Sequence, residues 1–157
     1  MMSGADATDG ADALGNAPGM LARVGRALWG LVFLASGVVN LTVTLPNPDL
    51  YEVFAELTFF PFYRWLIVNV AMPNAGVVTA LVVVFELAAG VLVLSRGRAV
   101  RIGLVGTALW VVFITPAMGW YTIWAPVLLV VPGLLMRWRF RGCVVGGIRD
   151  RGSSDPA

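Results

Sequence analysis

The chain has 157 residues, of which 59% are hydrophobic and only 13% are charged, and its formal net charge is +2. A soluble domain of this size carries about 25% charged residues and buries about 70% of its unfolded surface, so this composition would leave wide apolar patches in water. The absence of His and Lys excludes imidazole metal ligands, imidazole bases and Schiff-base lysines. Lipid is therefore the expected solvent.

The remaining composition excludes further classes of protein. The basic residues flank apolar runs instead of clustering on a polar surface, so no nucleic-acid partner is expected. The single cysteine, Cys143, excludes an internal disulfide, a redox thiol pair and a cysteine-rich metal site. We therefore expect no metal and no intrinsic cofactor.

Four apolar runs are predicted to cross a membrane, since about 20 apolar residues span the hydrocarbon core as a helix. Residues 1–22 are predicted to form a disordered N-terminal tail, and they lack the positive region that a signal peptide needs. The predicted spans are about 24–45, 76–95, 102–118 and 121–136, with an external connection at 46–75 and a cytoplasmic tail at 142–157.

The arginines predict the orientation of these spans. Ten of the eleven lie before or at the start of span one, between spans two and three, or after span four, and only Arg64 lies in the external connection. Cytoplasmic loops collect Arg, so both termini are predicted to be cytoplasmic. The predicted fold class is an all-α, polytopic membrane four-helix bundle formed by residues 23–141.

The external connection is predicted to start with a short amphipathic helix. Asp49 followed three residues later by Glu52 is typical of a capping box at a helix N-terminus. The spacing of apolar residues predicts one buried face on this helix, made of Leu50, Phe54 and Leu57.

An aromatic segment, residues 59–65, follows that helix. Aromatic anchors are enriched at binding surfaces, so the candidates for docking a partner are Phe59, Phe60, Phe62, Tyr63, Arg64 and Trp65. Residues 59–72 are too few to span before Pro73 interrupts them. We expect them either to lie in the membrane interface as an anchor or to dip back as a re-entrant lid.

Glu86 stands near the middle of the second predicted span. A charged side chain at a helix centre costs about 2.5–3.5 kcal/mol, so this carboxyl should face the bundle or a wet cavity. Thr79 and Gly90 share its helix face. Two interpretations are open: the carboxyl fixes helix register through hydrogen bonds, or it binds a ligand or relays a proton in a pocket.

The first span carries a matching stripe of small residues. Gly30, Gly37 and Thr44 recur every seven residues, with Asn40 and Ser36 close by, and such stripes allow close helix approach. The pocket or proton-relay candidates are therefore Glu86, Asn40, Ser36, Gly37 and Thr79.

Three stretches follow one another in this sequence: 26–41 (RALWGLVFLASGVVNL), 86–90 (ELAAG) and 96–103 (RGRAVRIG). Together they resemble the DoxX-like family of small bacterial four-helix membrane proteins, and the resemblance covers about residues 23–141. It implies a plasma-membrane bundle, and for some members a place in quinone-linked sulfur oxidation or in complexes handling oxidative stress. In members that pass electrons to quinone, the resemblance implies that the residues involved correspond to Ser36, Gly37 and Glu86 here. Members usually carry Lys where this chain has Asn40.

Three functions follow as expectations. The first is an accessory subunit of a quinone-linked membrane redox complex, with a lipid-facing pocket near Glu86 that holds a quinone or lipid, and with other subunits or copies of the chain as partners. The alternatives are an oligomeric transporter of a small solute or protons that couples through Glu86, and an assembly subunit that docks a partner through the external connection. Autonomous catalysis is not expected, because no nucleophile beside a base is visible.

Overall fold

The computed structural model describes residues 19–138 and 140, and for 120–125 and 127 it describes the backbone alone. This part of the chain is helical and contains no strand. The predicted tails, apart from residues 19–22, lie outside the described residues. The first helix begins at Met20, slightly before the predicted end of the N-terminal tail.

Six α-helices make up the described part of the chain. They are α1 (Met20–Val39), α2 (Leu50–Leu57), α3 (Pro61–Leu66), α4 (Ala75–Leu94), α5 (Arg98–Ile114) and α6 (Ala125–Leu135). Tighter or wider helical turns extend or join them: a π turn at Asn40–Thr44 after α1, a π turn at Ile67–Ala71 and a 3-10 turn at Met72–Asn74 between α3 and α4, and 3-10 turns over Thr115–Trp124 between α5 and α6.

Three helical stretches are long and apolar enough to cross a membrane. They are Met20–Thr44, Pro61–Leu94 and Arg98–Gly119, and each includes one of the first three predicted spans. The fourth predicted span contains α6, whose 11 residues are about 16 Å long, roughly half of the hydrocarbon core. The chain before it is not α-helical: Gly119, with φ of 56°, interrupts the helical path, and 3-10 turns continue to Trp124.

The helices pack in a ring. Helix α1 lies against α4, α4 against α5, and α6 against both α5 and α1. The chain also returns to one end of the ring: the carbonyl of Phe140, after α6, accepts a 3.0 Å hydrogen bond from the amide of Gly97, before α5. Arg26 of α1 donates to the carbonyl of Ser95 at the same end, which we call the arginine end.

The interior of the ring holds polar side chains beside apolar ones, and large aliphatic side chains cover its outside. Thr79, Glu86 and Thr107 are almost fully buried, whereas large aliphatic residues such as Leu81 and Leu109 are 65% exposed. Soluble proteins rarely expose so many large apolar side chains together. The outward face is therefore one that hydrocarbon solvates better than water.

The predicted amphipathic helix forms as α2, but its buried face was predicted wrongly. Tyr51 and Ala55 are the buried residues, whereas Leu57 is exposed and the two other residues of the predicted face are half-buried. The predicted capping box is also wrong, because Asp49 has a helical backbone and makes no side-chain cap. The most apolar face does not turn inward, because the ring offers α2 a hydrogen-bonding partner for Tyr51.

The interruption predicted at Pro73 is wrong as well. Helical turns continue through it from Pro61 to Leu94, because Pro73 lies at the start of the 3-10 turn, where a missing amide hydrogen costs nothing. The chain bends one residue later, at Asn74, whose φ and ψ are −122° and 27°.

The bend turns α3 back along the ring. In a straight helix Tyr63 would lie about 18 Å beyond Ala75. Instead, its ring lies 6.1 Å from that of Phe113 near the end of α5, and Phe113 in turn lies 6.1 Å from Trp110. Tyr63 of α3 therefore lies against α5 near the end that is remote from the arginine end.

Candidate functional site

Glu86 lies at the contact between α1 and α4 and is only 4% exposed. Its Oε1 atom accepts a hydrogen bond of 2.8 Å from Oγ of Ser36, and its Oε2 atom accepts one of 2.7 Å from Nδ2 of Asn40. Both donors are neutral side chains on the neighbouring helix. Each carboxyl oxygen of Glu86 thus has a partner from α1 or its extension.

Thr44 orients the amide of Asn40. The Oγ1 atom of Thr44 donates a 2.8 Å hydrogen bond to Oδ1 of Asn40, which leaves Nδ2 facing Glu86. Ser36, Asn40 and Thr44 follow one another at four-residue intervals and so share one helix face. We call Ser36, Asn40, Thr44 and Glu86 the polar cluster. Two of its residues, Asn40 and Thr44, lie on the π turn Asn40–Thr44. This helical geometry is rare and is frequent at functional sites.

Glycines close the contact around the polar cluster. A Cβ on Gly37 would lie 2.8 Å from the side chain of Leu87, and one on Gly90 would lie 3.0 Å from the backbone oxygen of Gly30. The first distance is shorter than real Cβ contacts and the second is tighter than nine in ten of them, so a larger residue would force the Leu87 side chain or the backbone of α1 to shift. Small residues thus favour this close approach of the two helices. The hydrogen bonds of Glu86 are buried between these closely packed helices, and the low local dielectric constant strengthens them.

Thr79 does not belong to the polar cluster, although the sequence made it a candidate. It lies seven residues from Glu86, about 10 Å along α4. Its hydroxyl shares a 3.0 Å hydrogen bond with the hydroxyl of Tyr51. This second polar contact fastens α2 onto α4. Sequence reasoning missed Tyr51. The available signal was the four-residue spacing of Tyr51 and Ala55, which places both on one face of α2.

Two further polar contacts lie toward the arginine end, and neither was predicted. The indole Nε1 of Trp29 donates to Oγ1 of Thr107 at 3.1 Å, joining α1 to α5. Arg26 is buried and its guanidinium lies 4.5 Å from the centre of the Phe140 ring. The signal was helical spacing: Arg26, Trp29 and Phe33 fall on the same face of α1 as the stripe of glycines.

The aromatic segment is largely exposed. Phe59, Phe60, Phe62 and Trp65 are all between 47% and 64% exposed, and Arg64 is exposed too. Tyr63 is half-buried, and its ring contacts those of Phe60, Phe62 and Phe113. Five of the six proposed docking residues are therefore exposed, and Tyr63 contacts the rings of two of them, Phe60 and Phe62.

Within the described residues, no group of three or more His, Cys, Asp or Glu side chains is placed to hold a metal ion. Comparison with protein-family models, with curated proteins and with solved structures finds no match to this chain. The similarity to the DoxX-like family therefore rests on the quoted residues alone. Chemically, the polar cluster can hold α1 against α4, and the aromatic segment can contact lipid or a partner.

Proposed function

We propose that this chain is a multi-pass protein of a bacterial plasma membrane that serves as a non-catalytic accessory subunit of a quinone-linked redox complex. One contrast carries the proposal. The buried carboxyl of Glu86 is satisfied inside the chain, whereas four aromatic side chains of the aromatic segment are exposed. A carboxyl occupied in this way offers no reactive centre, and exposed aromatic residues are suited to docking a partner.

Two observations support the placement in a membrane with four crossings. Three helical stretches have the required length and apolarity. Helix α5 begins at the arginine end and runs away from it. The chain is at the arginine end again at Phe140, so the residues between α5 and Phe140 run back along the ring. The arginines at this end favour a cytoplasmic position for it and for both termini.

The geometry of the polar cluster favours an accessory role over transport. A transporter would need Glu86 to reach solute or water, but Ser36 and Asn40 occupy its oxygens and glycine-mediated contact closes the helices around it. Opening this contact would break both hydrogen bonds. We therefore prefer the subunit to the proton-coupled transporter.

The redox part of the proposal rests on the resemblance of residues 26–41, 86–90 and 96–103 to the DoxX-like family. The pocket near Glu86 that the sequence led us to expect for the quinone has no free donor among the described residues. A quinone carbonyl needs a hydrogen-bond donor, and the hydroxyl of Ser36 and the amide of Asn40 already donate to Glu86. We therefore place the quinone between this chain and its partner, on the side of the aromatic segment, and not between α1 and α4.

The test is purification of the tagged full-length chain from its native membranes in a mild detergent. We expect a co-purifying polypeptide that carries a redox group, detected by its visible absorbance, together with quinone detected by mass spectrometry. Replacing Phe59, Phe62 and Trp65 with Ala should remove both. A wild-type chain that purifies with neither a redox partner nor a quinone would overturn the proposal.

A matched control separates docking from general loss of apolar surface. Leu28, Leu31 and Val32 on α1 are 54–59% exposed, much like the three aromatic residues. Replacing them with Ala should leave the redox partner and quinone bound. Equal loss in both triple variants would show that the aromatic segment has no special role in docking.

A further inference from the structure

A cavity of about 400 Å³ lies at the arginine end, between the start of α5 and the chain that follows α6. Arg98 and Arg101 line it on the α5 side, and Trp138 and Phe140 line it on the other. Its volume falls within the range of roughly 300–1,000 Å³ that is usual for sites of small molecules. A hydrogen bond from the amide of Gly97 to the carbonyl of Phe140 joins these two parts of the chain.

The cavity is positively charged on one side. Arg98 and Arg101 are three residues apart on α5 and both are exposed, so their guanidinium groups lie on one helix face. The acidic residues within the described part lie elsewhere: Asp49, Glu52 and Glu56 belong to the α2 region, which packs at the opposite end of α5 through Thr58 and Pro116. Glu86 is held by Ser36 and Asn40 in the middle of the ring. Among the described residues, no acidic side chain therefore lies beside Arg98 and Arg101 to neutralise their charge.

The other side of the cavity is apolar. Its apolar lining comes from Val100 and Leu104, which are 1% exposed, from the half-buried Trp138 and from the buried Phe140. Arg26 lies over the Phe140 ring and donates a hydrogen bond to the carbonyl of Ser95, which ties Phe140 to α1 and to the end of α4. A molecule that matches both sides has an anionic group joined to an apolar one.

We propose that this cavity binds the headgroup of an anionic phospholipid. Arg98 and Arg101 hold its phosphate oxygens, since guanidinium groups bind phosphate through paired, charge-assisted hydrogen bonds. The half-buried Trp138 contacts the glycerol and the first carbons of an acyl chain. The inference rests on the placement of the chain in a membrane and is independent of the redox role.

The experiment is native mass spectrometry of the full-length chain in detergent, titrated with dioleoylphosphatidylglycerol, dioleoylphosphatidylcholine or inorganic phosphate. We expect one phosphatidylglycerol to bind about tenfold more tightly than phosphatidylcholine, a factor that corresponds to about 1.4 kcal/mol. Inorganic phosphate should not displace it, because phosphate lacks the apolar part. Displacement by phosphate alone, or equal affinity for the two lipids, would overturn the assignment.

Charge-matched variants locate the site. Arg98→Gln with Arg101→Gln should weaken phosphatidylglycerol binding about tenfold, through loss of the phosphate hydrogen bonds. Arg23→Gln with Arg137→Gln removes the same charge from exposed positions at the arginine end that do not line the cavity, and should change binding by less than about threefold. Equal weakening by the two pairs would show a diffuse electrostatic attraction and no site. Circular dichroism checks that each variant is folded.

Discussion

At Glu86, a buried carboxyl is stabilised by neighbours that donate to both of its oxygens. Replacing Glu86 with Ala leaves the hydroxyl of Ser36 and the amide of Asn40 without their acceptor. We expect a loss of about 1–3 kcal/mol in the free energy of unfolding, the usual effect of unsatisfied buried polar groups. Glu86→Gln should cost less, because one carbonyl oxygen still accepts. Unfolding by SDS in mixed micelles, followed by circular dichroism, measures both.

Val84→Ala provides the control for Glu86→Ala. Val84 lies on the same helix and is 65% exposed, so its truncation should change the free energy of unfolding by less than about 0.5 kcal/mol. A loss as large as that of Glu86→Ala would show that shortening any side chain of α4 has this effect, and that the polar cluster is not its cause.

Gly119 is the residue at which the backbone itself requires glycine. Its φ is 56°, and a Cβ there would collide with the carbonyl oxygen of Leu57 at the end of α2. We expect Gly119→Ala to lower the midpoint of thermal unfolding, since a strained backbone costs about 1–3 kcal/mol and the collision adds to it. Gly133→Ala, with nothing within 4 Å of the added Cβ, should leave the midpoint unchanged or raise it.

At the scale of helices, α4 depends on glycines for its contacts on two sides. A Cβ on Gly90 would lie 3.0 Å from the backbone oxygen of Gly30 in α1, and one on Gly103 of α5 would lie 2.7 Å from the backbone nitrogen of Val93 in α4. We expect Gly90→Ala and Gly103→Ala each to cost about 1–3 kcal/mol, because backbone atoms must move apart. Steric trapping of the folded state with paired biotin tags measures this loss in bilayers.

Gly76→Ala is the matched variant on α4 itself. A Cβ at Gly76 meets nothing within 4 Å, so Ala should stabilise the helix by about 0.5–1 kcal/mol. The opposite signs of Gly76→Ala and Gly90→Ala would identify close approach as the cause. Destabilisation by both would point instead to a general effect of substituting glycine.

The sequence predicted those features that depend on local pattern. The length of an apolar run and the seven-residue spacing of Gly30 and Gly37 are readable without tertiary contacts, so the long helices and the α1–α4 contact were accessible. The partners of Glu86 were among the candidates because a buried carboxyl requires donors nearby. The continuation through Pro73 and the inward position of Tyr51 depend on contacts with distant helices, and local periodicity does not contain them.

At the scale of the whole molecule, four crossings and three crossings place the two tails differently. In a Cys143→Ser background, single cysteines at Ser3 and Ser154 report the side on which each tail lies. We expect both to resist a membrane-impermeant maleimide added to intact cells and to react after permeabilisation. A cysteine at Arg64 should react without permeabilisation. Labelling of only one tail from outside would show three crossings.

The central claim is that Glu86 is satisfied inside the chain and joins α1 to α4. A double-mutant cycle between Asn40→Ala and Glu86→Ala tests it most directly, measured as unfolding free energies in mixed micelles. We predict a coupling energy of about 0.6–2 kcal/mol, the range of interhelical hydrogen bonds and of residues in contact. The cycle between Asn40→Ala and Val84→Ala should give a coupling within error of zero. A coupling within error of zero between Asn40 and Glu86 would contradict the account.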